Sequence, residues 1–212
     1  AFNSLANNNK TYQKMVLKSF ACCDGRGANR LVTHLINFLS DTKSRKNSLS
    51  LKLATMDDCQ LIFSWQSDPK IRKYLRNSEP VKWQEHCTWL ENTINNTDKF
   101  LYIILLNNEG INVKVGVLRL DAIYNKQSII KLTSYKKWEI SIVISPNHQG
   151  KNIAINALKI IPNIFKTNDI IAEVHPENIA SHRLFSSAGF YKISSTHYCL
   201  TADLNSENNT DE

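Results

Sequence analysis

Long hydrophobic runs are missing from this 212-residue sequence: the longest uninterrupted one covers residues 100–106, against the roughly 18–20 residues that a membrane-crossing helix needs. A helical membrane span is therefore excluded from the sequence as given. No positively charged stretch followed by an apolar one opens the chain, so export by a secretory signal is not expected. The first residue is Ala1, as in a piece of a longer protein. Cysteine is sparse and unpatterned. The five cysteines, an odd number, include the adjacent Cys22 and Cys23 and show neither C-x-x-C nor a Cys/His spacing suited to zinc. A reduced, cytoplasmic chain without a structural metal is the expectation. Internal repeats are also lacking. What is present, 42% hydrophobic and 21% charged residues, excludes a disulfide miniprotein and a disordered tail and suits one core of about 100–200 residues.

The formal net charge is +7 and the pI about 9.1, which suggests an acidic partner, so the location of the charge matters. Residues 1–50 hold eight Lys/Arg against two Asp/Glu, while residues 201–212 hold four acids and no base. The excess is concentrated in an N-terminal arm and offset by an acidic tail. No aromatic-interleaved basic motif or helix-turn-helix accompanies it, so a nucleic-acid partner is not expected.

Residues 1–48 read as an arm and linker. A polar start precedes a short amphipathic helix carrying Leu31, Leu35 and Phe38, then the basic stretch DTKSRKNSLS. From Leu49 to about residue 200 the pattern is that of one compact domain. SLSLKLA alternates as a strand, Thr55 to Asp58 resembles a capping box, and helices are predicted over 57–66, 68–75 and 83–94. Strands follow over 100–108, 113–123 after a Glu-Gly turn, and 138–144. A tight loop then opens a helix over 151–161, followed by strand 170–175, helix 178–189 and one strand over 190–200. Antiparallel strands first and a β-α-β-α-β run last imply an α/β (α+β) fold: a mixed, mostly antiparallel sheet flanked by helices. Residues 201–212 read as an acidic flexible tail.

The segment richest in chemistry is His148-Gln149-Gly150-Lys151-Asn152-Ile153-Ala154, between a strand and a helix. A turn of small or left-handed-tolerant residues at a helix N-terminus aims several backbone N–H groups at one point, which suits a pyrophosphate. An ordinary strand-to-helix loop is the plain alternative. The segment resembles motif A of the GCN5-related N-acetyltransferases, [RQ]-x-x-G-x-[GA], with Gln149 first, Ala154 last and Asn152 in place of the central glycine. Asparagine is the non-glycine residue best suited to the left-handed conformation. About 25 residues on, Glu177-Asn178, Ser181, Leu184-Phe185 and Gly189-Phe190 are similar to the family's motif B, E-N-x-x-[AS]-x-x-L-[YF]-x-x-x-G-F.

The resemblance implies the fold of that family over residues 49–200 and acetyl-CoA as donor. It implies cofactor contacts from Ile142, Val143, Ile144, Gln149, Gly150, Lys151, Asn152, Ile153, Ala154, Asn178, Ser181 and Phe185. It also implies a catalytic base at Glu139, at the start of the strand whose N–H groups hold the thioester oxygen. Phe185 stands where many relatives have a tyrosine acid, and it has no proton to give.

For the acceptor, Trp65-Gln66-Ser67-Asp68-Pro69-x-x-Arg72 with Pro80-Val81, His86 and Trp89 resembles a pattern of acetyltransferases acting on amino-sugar nucleotides, nearest to the UDP-4-amino-sugar enzymes of pseudaminic acid biosynthesis. Stacking of Trp65 and Trp89, an Arg72–diphosphate pair and a His86 hydrogen bond would suit a UDP-amino-sugar. Each of these residues also has a core or solvated reading. In the arm, Asp24-Gly25-Arg26-Gly27-Ala28-Asn29-Arg30 is similar to a segment of the same pathway's nucleotide-sugar hydrolase, implying fusion to an upstream hydrolase domain. A ribosomal-protein type N-terminal acetyltransferase and a catalytically silent acyl-CoA-binding domain stay open as alternatives. The implied partners are small diphosphate ligands, without nucleic acid or membrane.

Overall fold

The computed structural model describes residues 48–124, 137–165 and 169–201. The arm, its predicted helix and hydrolase-like segment, and the acidic tail lie outside the described residues. Seven strands form one sheet in the order β1-β2-β3-β4-β5-β7-β6. They are β1 (Leu49–Leu53), β2 (Lys99–Asn108), β3 (Ile111–Ile123), β4 (Lys137–Ile144), β5 (Ile170–Glu173), β6 (Tyr191–Lys192) and β7 (His197–Leu200). Every pairing is antiparallel except β4 with β5. This is the mixed α+β architecture the sequence pattern predicts.

The helices cover both faces because β2 and β3 are apolar at successive positions. Leu101, Ile103 and Val117 face one side, together with Ile62 and Trp65 of α1 (Cys59–Gln66) and Leu90 of α3 (Trp83–Ile94). Phe100, Tyr102, Leu118 and Leu120 face the other. There α4 (Ile153–Ile164) inserts Ala157, Leu158 and Ile161, and α5 (Ile179–Ser187) inserts Phe185. Between α1 and α3 lies the short α2 (Pro69–Arg72), capped by the Asp68 side chain, which accepts from the Lys70 N–H at 2.8 Å.

A 3-10 turn over Met56–Asp58 enters α1 through the capping box the sequence suggests. The Asp58 carboxylate accepts from the Thr55 N–H at 2.9 Å and pairs with Lys114 at 2.6 Å. The Cys59 and Cys87 sulfurs lie 3.4 Å apart, and burial pushes the Cys59 thiol up to about 11.

Three elements differ most from the sequence pattern, and other ends shift by two residues or fewer. The single strand expected over 190–200 is a hairpin, β6 and β7, whose turn at residues 193–196 is closed by Ser194 and Thr196 bonds to His197. The second helix ends at Arg72 rather than 75. The fourth runs on past Pro162 to Ile164, because Ile161, Ile164 and Phe165 are all buried in the core, outweighing the one N–H that proline lacks.

Candidate active site

The parallel pair β4/β5 is short. Trp138 pairs with Ile170 and Glu139 with Ile171, and beyond that register no residue of β4 pairs with β5. The strands part, and residues 140–144 line a cavity of about 520 Å³ that also takes in the loop before α4 and the first turns of α5. Strand parting leaves an edge of peptide groups available to a ligand, and such groups require partners.

The loop is built to present its backbone. Gly150 has φ 75 and Asn152 φ 58, so the left-handed expectation for Asn152 is met. The chain therefore turns sharply into α4, whose first residues Ile153, Ala154 and Ile155 line the cavity, and the first N–H groups of a helix have no partner within it. The Gln149 amide donates to the Ile144 carbonyl at 3.1 Å, tying the loop to the end of β4. Buried Ser145 meets His148 Nδ1 at 2.8 Å, bracing the same corner. Across the cavity Asn178 caps α5, its side chain accepting from the Ser181 N–H at 3.0 Å. Phe185 forms part of the wall and packs against Phe190 and Tyr198.

Of the residues expected on the cofactor side, Ile142, Val143, Ile144, Gln149, Gly150, Asn152, Ile153, Ala154, Asn178, Ser181 and Phe185 all line the cavity. Lys151 does not: its ammonium donates to the Asn147 carbonyl at 3.1 Å on the outside of the loop.

The four residues expected on the acceptor side are placed elsewhere. Trp65 is 6% exposed and belongs to the core under α1. His86, 2% exposed, meets the Cys59 carbonyl at 3.1 Å, and burial holds its imidazole below the ordinary histidine range. Arg72 donates to the Glu79 carbonyl at 2.7 Å, closing the turn after α2. Trp89 lies under the Arg119 guanidinium and lines a separate shallow groove with Gln84 and Lys99. An amphipathic helix that must cover a sheet buries its aromatic side chains, so α1 and α3 contribute packing, while α2 reaches the cavity through Lys70 and Ile71.

A residue that the sequence pattern does not mark stands where β4 and β5 part. Arg76, in the turn after α2, bonds both Glu139 of β4, at 2.6 Å, and Glu173 of β5. Both carboxylates push its guanidinium further above its ordinary range, the hydrogen bond to Glu173 first. Glu173 lines the cavity, whereas Glu139 stands just outside its lining, next to Ile140. The period-two pattern of IIAEVH marks Glu173 as opposite in face to Ala172, but nothing in it marks the pairing with Arg76.

Gly116 of β3 is likewise unmarked by the sequence pattern. A Cβ there would come within 2.6 Å of the Val143 carbonyl oxygen and 2.9 Å of Ile144, so glycine lets β3 approach the cavity end of β4.

Among the described residues no group of three or more His, Cys, Asp or Glu could hold a metal, and no helix is long and apolar enough to cross a membrane.

Residues 48–191 match the family model described as acetyltransferase (GNAT) domain. The uncharacterized protein MJ1062 of Methanocaldococcus jannaschii is 28% identical over 173 residues, covering 79% of this chain and 33% of that protein. The chain thus spans about a third of the length of that curated relative. A solved domain from the same organism superposes with a TM-score of 0.60 at 24% identity, over 73% of this chain and 99% of that one. FdhC, described as a nucleotide-linked sugar GNAT, superposes at 0.56 with 20% identity, over 74% and 88% of the two chains. At these identities the structural likeness is one of fold.

Proposed function

Because the chain belongs to the GNAT acetyltransferase family, with acetyl-CoA as its donor, we propose that it acetylates a primary amine of a small molecule, the 4-amino group of a UDP-linked deoxy-sugar. The observation that carries the donor side is the parting of β4 from β5 past Glu139 beside a loop with two left-handed residues. The acceptor is supported by the sequence pattern of residues 65–89 and by likeness of fold to a nucleotide-linked sugar GNAT.

The residues fit the donor chemically. The loop and the first turn of α4 offer N–H groups to a pyrophosphate, and the free edge of β4 offers N–H and C=O groups to an amide-bearing arm. Acetyl-CoA, when bound, supplies an activated thioester. The chain's own residues then hold and move charge. N–H groups of β4 past Glu139 stabilise the carbonyl oxygen as it gains negative charge. Glu139 accepts the proton that the amine loses as the C–N bond forms and the C–S bond breaks. Phe185 provides wall and no proton, so the departing sulfur is received by N–H donors and solvent. No cysteine takes part.

The test is thiol release with acetyl-CoA and either a UDP-4-amino-4,6-dideoxy-sugar or a peptide bearing a free N-terminus. Turnover of the sugar and not the peptide is expected; turnover of the peptide alone would replace the acceptor with a protein N-terminus. Thiol release with neither, despite a thermal shift with CoA, would mark a silent acyl-CoA-binding domain. Glu139→Ala is expected to cut kcat by about 10²–10⁴-fold while leaving acetyl-CoA affinity within about twofold. Equal loss in both would give Glu139 a structural role.

A further inference from the structure

Three carboxylates stand on one face of three successive strands. Asp121 of β3 is the direct partner of Glu139 across the β3/β4 ladder, and directly opposed residues share a face. Glu173 lies two residues beyond Ile171, the partner of Glu139 on β5, and so faces the same way. Like charges this close repel; Lys99 of β2 stands directly opposite Asp121, and two guanidinium groups bind the carboxylates. Arg119 pairs with Asp121 at 3.3 Å. Arg76 uses a single nitrogen, Nη2, for both Glu139 and Glu173.

These two arginines differ in how they are held. Arg119 is part of β3 and lies against Trp89. Arg76 comes from a turn, is 66% exposed, and bonds these two carboxylates through its side chain. Its chain neighbours Tyr74 and Leu75 line the cavity, as does Glu173. Arg76 therefore bridges β4 and β5 from outside, across the gap where the two strands part.

We propose that Arg76 is a specificity-determining residue: by neutralising Glu139 and Glu173 it disfavours polycationic amines at the acceptor end and favours an amine carried on an anionic nucleotide. An arriving polyamine must compete with the guanidinium for the same oxygens. Without Arg76, Glu139 and Glu173 lose their shared guanidinium, while Arg119 and Lys99 stay beside Asp121, and that end of the cluster attracts polycations. The second half of the proposal rests on the acceptor class proposed above; the first half does not.

The test uses the full chain, spermidine as a polycationic probe, and calorimetry in the presence of CoA at low salt. Arg76→Ala and Arg76→Gln are each expected to bind spermidine at least fivefold more tightly than the wild type. Arg76→Lys should stay near wild type, since it restores the charge. The gain should shrink at 0.5 M NaCl, because exposed charges are screened. Unchanged melting temperature and CoA affinity control for folding. In thiol release, kcat/KM for the UDP-4-amino-sugar is expected to fall about tenfold in Arg76→Ala, while that for spermidine rises.

Unchanged or weaker spermidine binding in both neutral variants would overturn the role of Arg76, even if the wild type acetylates the nucleotide sugar. A gain equal at low and high salt, or absent rescue by lysine, would overturn it as well. Conversely, tighter spermidine binding in a protein that acetylates no nucleotide sugar would uphold the Arg76 role against polycations and sink the proposed acceptor.

Discussion

The two faces of the sheet carry different kinds of functional information. On the face covered by α4 and α5, the loop and helix-start residues marked by their spacing reach the cavity, Lys151 excepted. On the face covered by α1 to α3, the aromatic and histidine residues marked by a similar spacing go into the core or a separate groove. The difference is one of mechanism. A loop that binds through its backbone needs only the right conformation, and conformation is written locally in Gly150 and Asn152. A helix that binds through side chains must choose which of them face the sheet, and burial of large aromatics dominates that choice.

This contrast breaks most easily at Trp65. As a core residue, Trp65→Ala should destabilise the fold by about 3–5 kcal/mol, read by urea unfolding, while the folded fraction keeps its CoA affinity. A loss below about 1 kcal/mol together with weakened acceptor binding would return Trp65 to the ligand.

The next effect in size lies on the strand that joins the faces. Gly116→Ala places a methyl group against the Val143 carbonyl, which is backbone and cannot turn aside. Overpacking of this kind costs about 1–3 kcal/mol. Because Val143 and Ile144 line the cavity, CoA affinity should fall along with stability. Stability lost with CoA affinity intact would show that β4 moves as a whole and that the cavity does not depend on the close approach.

How much was legible in the sequence follows the same division. The mixed, mostly antiparallel sheet was readable because apolar alternation and loop lengths are local signals, and α3 was readable to its ends from its apolar spacing. The hairpin of β6 and β7 was not, since FYKISSTHYCL has no glycine or proline to punctuate it. Neither was the Arg76 bridge, which joins residues 63 and 97 positions apart through tertiary placement alone. The buried state of His86 was an open alternative that only the neighbouring chain segments could decide.

On the α4 face, Asn152 offers a smaller and sharper test. Its φ of 58 tolerates asparagine or glycine, whereas a β-branched side chain there costs about 1–2 kcal/mol. Asn152→Val should therefore weaken CoA binding roughly tenfold, and Asn152→Gly should hold or tighten it. Equal affinities for the two variants would mean that the loop does not bind through its backbone.

The smallest effect is expected from pH, and it separates a core histidine from a ligand histidine. His86 is surrounded by Phe63, Trp83 and Trp89 rings and meets only a carbonyl, so its pKa in the folded chain lies below the ordinary value near 6.5. Between that lowered value and 6.5 the unfolded chain binds more protons than the folded one. Stability contributed by neutral, buried His86 is therefore fully present above about pH 6.5 and is lost as pH falls through the folded-state value. His86→Gln should flatten that part of the stability profile, measured by urea unfolding between pH 7.5 and 5, even though its stability at pH 7.5 is lower. An unchanged acid slope in the variant would mean that His86 is protonated as readily folded as unfolded, and would overturn its reading as a histidine sealed between α3 and α1.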